Sequence, residues 1–319
     1  MIDGYKRKID YLRISVTDLC NLRCRYCMPS EGVSKREHWE IMSYEEIIAV
    51  TRAAAKTGIR KVRITGGEPL VRRGILELCR GIKDIPGIRE LSVTTNGMFL
   101  EEMAQDLKAA GVDRMNISID TLDAAKYYYM TRGGDLQRAL RGIRAAADAG
   151  LAPIKLNTVL IGGFNDNEIP SLVELIREND FELRFIELMP IGEGAPFWEK
   201  CFVPNGAVLD MVPELRPIED SSGGVAKIYK LPGAKGKVGL INPISGHFCH
   251  SCNRLRLTAD GMLKPCLHSN VEVSVRGFEG DELEDAVRYA VGLKPENRGE
   301  ELSGAHPSSA GRRMNRIGG

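Results

Sequence analysis

Six of the eight cysteines fall into two tight groups: Cys20, Cys24 and Cys27 in DLCNLRCRYCMP, and Cys249, Cys252 and Cys266 in CHSCNRLRLTADGMLKPC. Such spacing is that of metal ligands rather than of a disulfide framework. In the first group three thiolates share one short segment. They can hold three irons of a 4Fe–4S cube and leave the fourth iron open to another ligand, as catalytic zinc keeps one position free of protein. A ferredoxin would carry a fourth cysteine close by, and none is near. A zinc knuckle needs a fourth ligand as well, and the closest downstream candidate is His38. The second group is ambiguous by spacing alone. His247, His250 and His268 lie beside it, so a Cys3His zinc site and a second open cluster stand level. Cys79, on an apolar helical face, and Cys201, in a loop, read as small buried or idle thiols.

These residues need a scaffold, and the pattern from 11 to 188 supplies one. Strand candidates at 12–16, 61–65, 90–94, 114–119, 154–160 and 184–189 alternate with helical stretches. In SYEEIIAVTRAAAKTG, Ser43 with Glu46 is a capping box and Gly58 a stop; Gly111 and Gly150 end two later helices. Strand–helix alternation implies a parallel sheet. Parallel strands covered on both faces should be apolar on both. Here one face is polar: Arg13 and Ser15, then Lys61, Arg63 and Thr65, then Ser92 and Thr94, Asn116 and Ser118, Lys155 and Asn157. The expected fold is therefore a curved sheet with helices outside and a basic lumen that holds a ligand. The cysteine loop follows the first strand. The second ends in TGGEPL, with Gly66, Gly67 and Glu68, the third in TTNG and the fourth in SID. All four lie at carboxyl ends of strands, where α/β sites are built.

After about residue 190 the rhythm breaks. IGEGAPFWEK and the turn at 220–224 interrupt it; VAKIYKL, KVGLIN and RLRLTADGMLKPC read as short strands, with Asp260-Gly261 as a hairpin turn. Residues 280–292 read as a late helix, and the end is turn-rich. The 44 basic and 43 acidic residues leave a net charge of +1, so nothing draws the whole chain to nucleic acid or an anionic membrane. No apolar run approaches the roughly eighteen residues of a membrane span, and MIDGYKRKIDYLR has no signal-like apolar region. A cytoplasmic location is expected.

CxxxCxxC after the first strand, with GGEP after the second, resembles the radical S-adenosylmethionine superfamily. RISVTDLCNLRCRYCMP, KVRITGGEPLVRR, RFIELMPIG, NRLRLTADG and a terminal Gly-Gly together resemble the GTP 3′,8-cyclase family of molybdenum cofactor biosynthesis. That resemblance implies an incomplete (βα)6 TIM-type barrel over 1–190. It implies a region over 191–319 that carries a second 4Fe–4S cluster and closes the barrel mouth. The cofactors would be two 4Fe–4S clusters and S-adenosylmethionine, with the six cysteines as metal ligands. The 5′-deoxyadenosyl radical from S-adenosylmethionine would take the ribose 3′ hydrogen of GTP, and C3′ would bond to C8. Gly66, Gly67, Glu68, Thr94, Ser118, Lys155, Asn157 and Tyr26 are the implied cofactor contacts, with Glu68 or nearby carbonyls pairing with the methionyl amine. Arg13, Lys61, Arg63, Arg184, Arg254 and Arg256 are the implied GTP contacts, consistent with the absence of a GxxxxGK[ST] loop. Arg13, Arg254, Arg256 and the tail glycines Gly318 and Gly319 would serve the reaction itself, the tail held by carboxylates or by GTP phosphate. A homodimer, an unidentified electron donor and transfer of product to the next enzyme of the pathway are also implied. Tyr127, Tyr128 and Tyr129 receive no role. Two other readings remain: a peptide-modifying radical enzyme with an auxiliary cluster, which should carry a cysteine-richer tail, and an electron-transfer protein, which should carry four ligands per cluster.

Overall fold

The structure is a computed structural model that describes residues 1–219, 224–297 and 311–318; most of the expected turn at 220–224, and Gly319, lie outside the described residues. Six strands alternate with helices: β1 (Tyr11–Ser15), β2 (Lys61–Thr65), β3 (Glu90–Thr95), β4 (Arg114–Ser118), β5 (Ile154–Leu160) and β6 (Phe181–Glu187). Each is parallel to the next. The capping box forms as the sequence predicts. Ser43 Oγ accepts from the Glu46 amide at 3.1 Å, the Glu46 carboxylate accepts from the Ser43 amide, and helix Tyr44–Thr57 runs on to Gly58.

The alternation in polarity is real. Leu12, Ile14, Val62, Ile64, Leu91, Val93, Met115, Ile117 and Leu156 are each 0 % exposed and form one core with helix residues such as Ile47, Leu78, Leu107 and Leu172. Their neighbours in sequence face inward. Burial of this kind is worth about 1.5–3 kcal/mol per large apolar side chain, and it fixes which face of each strand points to the lumen.

The chain after 190 does not form a layer of its own. Its strands are β7 (Arg216–Ile218), β8 (Lys227–Lys230), β9 (Lys237–Ile241), β10 (Arg254–Leu257), β11 (Met262–Lys264) and β12 (Val273–Ser274). They extend the same sheet at both edges, in the order β12-β11-β10-β1-β2-β3-β4-β5-β6-β9-β8-β7. β10 lies parallel to β1 and β9 parallel to β6, while the outer strands are antiparallel. The sheet stays open. Because β10 runs with β1, Cys249 and Cys252, just before β10, sit where the strands begin, and the first cysteine loop sits where they end. The second triad thus lies at the end of the lumen opposite the first.

The bounds of β1, β3 and β4 differ by one residue from those expected, and three further expectations shift. β6 starts at Phe181 rather than 184 and ends at Glu187. IGEGAPFWEK does not simply break the helical rhythm, since Gly194–Cys201 is a helix whose first turn accommodates Pro196. Cys201 is the last residue of that helix, not a loop residue.

The loop after β2 lies directly on the cysteine loop. The Gly67 amide donates to Thr17 O at 2.7 Å and the Glu68 amide to Leu19 O at 2.8 Å. A Cβ on Gly67 would stand 2.3 Å from Leu19 O and 2.7 Å from Asp18 O, and neither backbone atom can swing aside. Gly67→Ala should therefore force the two loops apart at a cost of about 1–3 kcal/mol. A urea melt of the variant should show a lower midpoint at unchanged slope; an unchanged midpoint would mean that the approach is loose.

Candidate active site

The inner face of the sheet surrounds a cavity of about 570 Å³, lined by all six clustered cysteines and by the lumen cations. Strand register sets the charges in a row. Arg256 of β10 pairs with Arg13 of β1, Arg13 with Arg63 of β2, Arg63 with Ser92 of β3 and Ser92 with Arg114 of β4. Adjacent strands are about 4.8 Å apart, and like charges directly opposite repel. Burial first, and then Arg63, Arg256 and Arg254, push the Arg13 guanidinium well below its ordinary range. Burial and neighbouring arginines bring Arg63 and Arg256 down to about 10. Arg114 has a carboxylate, Glu90, at 2.9 Å. Lys61 lines the same cavity with no carboxylate at ion-pair distance among the described residues.

Arg184 and Lys155 are placed differently. Both are held by Glu182, Lys155 at 2.9 Å and Arg184 through Nε at 2.5 Å, with Lys237 at 3.7 Å. Burial alone would raise the Glu182 carboxyl, but Arg184 and Lys155 outweigh it and hold it at about 2. Lys155 falls to about 8, chiefly through burial and then Arg184.

At the carboxyl ends of the strands the surroundings turn acidic. Burial raises the Cys20 thiol to about 11, helped by Glu68, and the Cys27 thiol to about 12, helped by Cys20. The Cys24 thiol is raised well above its ordinary value, by burial and then by Cys27. Glu68 is 1 % exposed and accepts from Leu70 N at 3.1 Å, Thr95 Oγ1 at 2.8 Å and Asn96 N at 2.7 Å. Instead of presenting a free carboxylate to a ligand amine, Glu68 ties the β2 loop to the β3 loop, and burial lifts its pKa to about 7. The Tyr26 hydroxyl donates to Asp120 at 2.7 Å; burial holds Asp120 at about 6. Gly66, Thr94, Ser118 and Asn157 also line this end, Ser118 and Asn157 as register partners.

The second triad is gathered by a hairpin. Cys249 opens a 3-10 turn, the Cys252 amide donates to Cys249 O at 3.1 Å, and β10 and β11 fold Cys266 back beside them. Arg7 Nη1 donates to Cys249 O at 3.0 Å. Burial would raise the Cys252 thiol, but Lys294, Arg254 and Arg256 bring it to about 7. Among the described residues no three Cys, His, Asp or Glu side chains converge on one ion. A cube binds each thiolate through a different iron, so a triad of this kind needs no common point.

The tail enters the cavity wall. Arg312 bonds Asp260 at 2.8 Å and Glu272 at 2.6 Å, Arg313 pairs with Glu193 at 3.4 Å and Arg316 with Asp18 at 3.5 Å. Asn315 donates to Asp18 O at 3.1 Å, and Ile317 is 1 % exposed. The anchors are thus carboxylates of the protein. Gly318 has φ +67°, and a Cβ there would stand 2.4 Å from Thr65 Oγ1. Arg256 donates to Ile317 O at 3.0 Å and to Gly318 O. Gly319 lies outside the described residues.

The structure also brings in residues the sequence did not single out. Tyr11 stacks under Arg63 at 5.3 Å, and Arg63, Arg114 and Arg13 overcome the effect of burial to bring its phenol to about 7. Tyr11 and Arg114 extend the polar alternation at the starts of β1 and β4, which was the signal available. Glu182 lies two residues before Arg184, but the expected strand began only at 184; Asn315 offered no signal, since its partner Asp18 is distant.

The match to the radical SAM superfamily covers residues 14–176, and the match to the molybdenum cofactor synthesis C-terminal family covers 181–300. The chain is 48 % identical to the GTP 3′,8-cyclase of Alkaliphilus oremlandii over 100 % of both chains, and 52 % identical to that of Peptoclostridium acidaminophilum over 92 % of both. The crystal structure of Streptococcus suis SuiB bound to S-adenosylmethionine overlays with a TM-score of 0.62 at 15 % identity, over 88 % of this chain and 68 % of that one, a likeness of fold. No helix among the described residues is long and apolar enough to cross a membrane. With cysteines and glycine loop at one end of an open lumen, a second triad at the other and full-length kinship throughout, the chain belongs to the radical SAM superfamily and, within it, to the GTP 3′,8-cyclase family.

Proposed function

We propose that this protein is a GTP 3′,8-cyclase that acts in the first step of molybdenum cofactor biosynthesis. One observation carries the reading: a register-matched row of guanidiniums between two cysteine triads at opposite ends of one lumen. Cys20, Cys24 and Cys27 would hold the 4Fe–4S cluster that the superfamily implies, beside S-adenosylmethionine. Cys249, Cys252 and Cys266 would hold a second cluster, with the guanine of GTP as its ligand. Together the first cluster and S-adenosylmethionine supply, when bound, the radical that takes the ribose 3′ hydrogen so that C3′ can bond to C8.

The protein's own part is to bind and orient. Arg13, Lys61, Arg63, Arg254 and Arg256 take the triphosphate, whose charge relieves the repulsion among them. The Glu182 knot keeps Arg184 and Lys155 extended along the wall. Gly66, Gly67, Thr94, Ser118, Asn157 and the Tyr26–Asp120 pair form the cofactor's end. Loop contacts and the strapped tail exclude water from the space between. A homodimer, an external one-electron donor and hand-over of product to the next enzyme of the pathway belong to the same reading. So does the division of labour between 1–190 and 191–319. Full-length kinship to cyclases disfavours a peptide-modifying enzyme, because the likeness to SuiB extends to fold alone.

Anaerobically prepared protein should contain two 4Fe–4S clusters per chain and no stoichiometric zinc, read by metal analysis with Mössbauer spectroscopy. One cluster plus one tight zinc would sink the two-cluster assignment. Cys24→Ala should abolish S-adenosylmethionine cleavage, while Cys252→Ala should chiefly impair GTP binding; unchanged GTP affinity in Cys252→Ala would show that the guanine sits elsewhere.

Lys61→Ala should weaken GTP by about tenfold or more, as for loss of a charge-assisted contact of about 1.5–3 kcal/mol, and guanosine far less. Equal losses for both ligands would make Lys61 structural. Removing Gly318 and Gly319 should leave clusters and S-adenosylmethionine binding intact while cyclic product falls sharply, and a peptide of the tail sequence added in trans should recover part of it. Product formation at the normal rate would reduce the tail to a mere plug.

A further inference from the structure

Helix Gly280–Gly292 packs against helix Tyr44–Thr57 and delivers Lys294, just past its end, to the second triad. Lys294 is 4 % exposed. Its ammonium donates to Arg254 O at 2.7 Å, to Pro265 O at 2.8 Å and to Cys252 Sγ at 3.9 Å. An ammonium has three protons to give, and three acceptors are in place. Two are backbone carbonyls on either arm of the triad, just after Cys252 and just before Cys266. Lys294 therefore stitches the two arms together. No carboxylate among the described residues lies within ion-pair distance of it, since Asp3, the nearby acid, is taken by Arg7 at 2.6 Å. A buried ammonium needs an anion close by. The anion on hand is the Cys252 thiolate and whatever that thiolate binds.

We propose that Lys294 is a positioning residue of the second cluster, giving a hydrogen bond to the Cys252 sulfur and the positive charge that sets the reduction potential of that cluster. The inference rests on the two-cluster reading above. A hydrogen bond to a ligating sulfur and an adjacent cation both favour the reduced, more negative state of an iron–sulfur centre. Loss of the charge should move the potential of the second cluster to more negative values and leave the first cluster, at the other end of the lumen, where it was.

The test uses anaerobically reconstituted full-length protein, wild type and Lys294→Gln, followed by redox titration with EPR detection. Glutamine keeps an amide donor for the carbonyls and removes the charge. The expected result is full iron content in both, a negative shift for the second cluster in the variant, and an unchanged first cluster. A purely scaffolding lysine would alter iron content without moving the potential of the clusters that do form. Equal second-cluster potentials in the two proteins would overturn the proposal. A second measurement needs no variant. Wild-type holoenzyme grown on ¹⁵N-lysine should show a weak nitrogen coupling on the second cluster's signal by pulsed EPR, and no coupling there would overturn the proposal even if Lys294→Gln fails to assemble. Failure of the two-cluster reading itself looks different: wild-type protein would carry one cluster's iron and no second signal to measure.

Discussion

Much of this molecule follows from the repulsion among arginines that strand register forces side by side. Arg256, Arg13 and Arg63 occupy one row on three hydrogen-bonded strands, and Arg114 joins the row across Ser92. Nothing in their local sequences relieves the strain. The fold tolerates it because the opposite face of the same strands is packed without exposure against helices, so the apolar side dictates register and the polar side must accept the consequence. The protein answers the repulsion only in part. Glu90 neutralises Arg114, and the carbonyls of Ile317 and Gly318 give Arg256 dipoles in place of a charge. Arg63 lines the cavity with no carboxylate at ion-pair distance among the described residues.

The tail belongs to the same electrostatics. Four attachments, through Arg312, Arg313, Asn315 and Arg316, fix a segment whose own cations would otherwise add to the basic lumen. Each of those cations is turned away from the cavity onto Asp260, Glu272, Glu193 or Asp18. What reaches the wall between Ser15 and Thr65 is backbone alone, and only a residue without a side chain fits there at φ +67°. The tail thus offers carbonyl oxygens, of Ile317 and Gly318, to Arg256.

How much of this could be read from the chain depends on the range of the interaction. β2 and β5 begin and end where the alternation of Lys61 to Thr65 and Ile154 to Leu160 says they should, because the signal is local burial on one face. The placement of the first cysteine loop was equally legible, since a loop after one parallel strand must neighbour the loop after the next; that Gly67 packs directly on Asp18 and Leu19 was not. The start of β6 was not, because Phe181 to Leu183 pair with β5 and with Lys237 to Val238, far along the chain. Nor was the placement of the second triad. Its hairpin reads clearly from Asp260-Gly261, yet nothing in residues 249–266 says that β10 will dock beside β1 and point the cysteines to the far end. The contacts of Glu68 were not legible either, because Thr95 and the Asn96 amide meet it only after β3 is in place.

The two ends of the lumen differ in sign, and the difference argues which ligand goes where. Around the first triad stand Glu68 and Asp120, and the thiols there are pushed up by burial and by one another. Around the second stand Lys294, Arg254 and Arg256, which pull the Cys252 thiol down to about 7. A cationic ligand there would favour the ionised forms of Glu68 and Asp120, and the sulfonium and amine of S-adenosylmethionine are cationic. A cation-rich end favours a polyanion, and GTP is one. A low-dielectric cavity strengthens both preferences. Exchange of the two would set a sulfonium against the arginine row and a triphosphate against Glu68 and Asp120, repelled at both ends. In the proposed arrangement the field of the lumen would favour this order of the two ligands, with the ribose in the stretch between them.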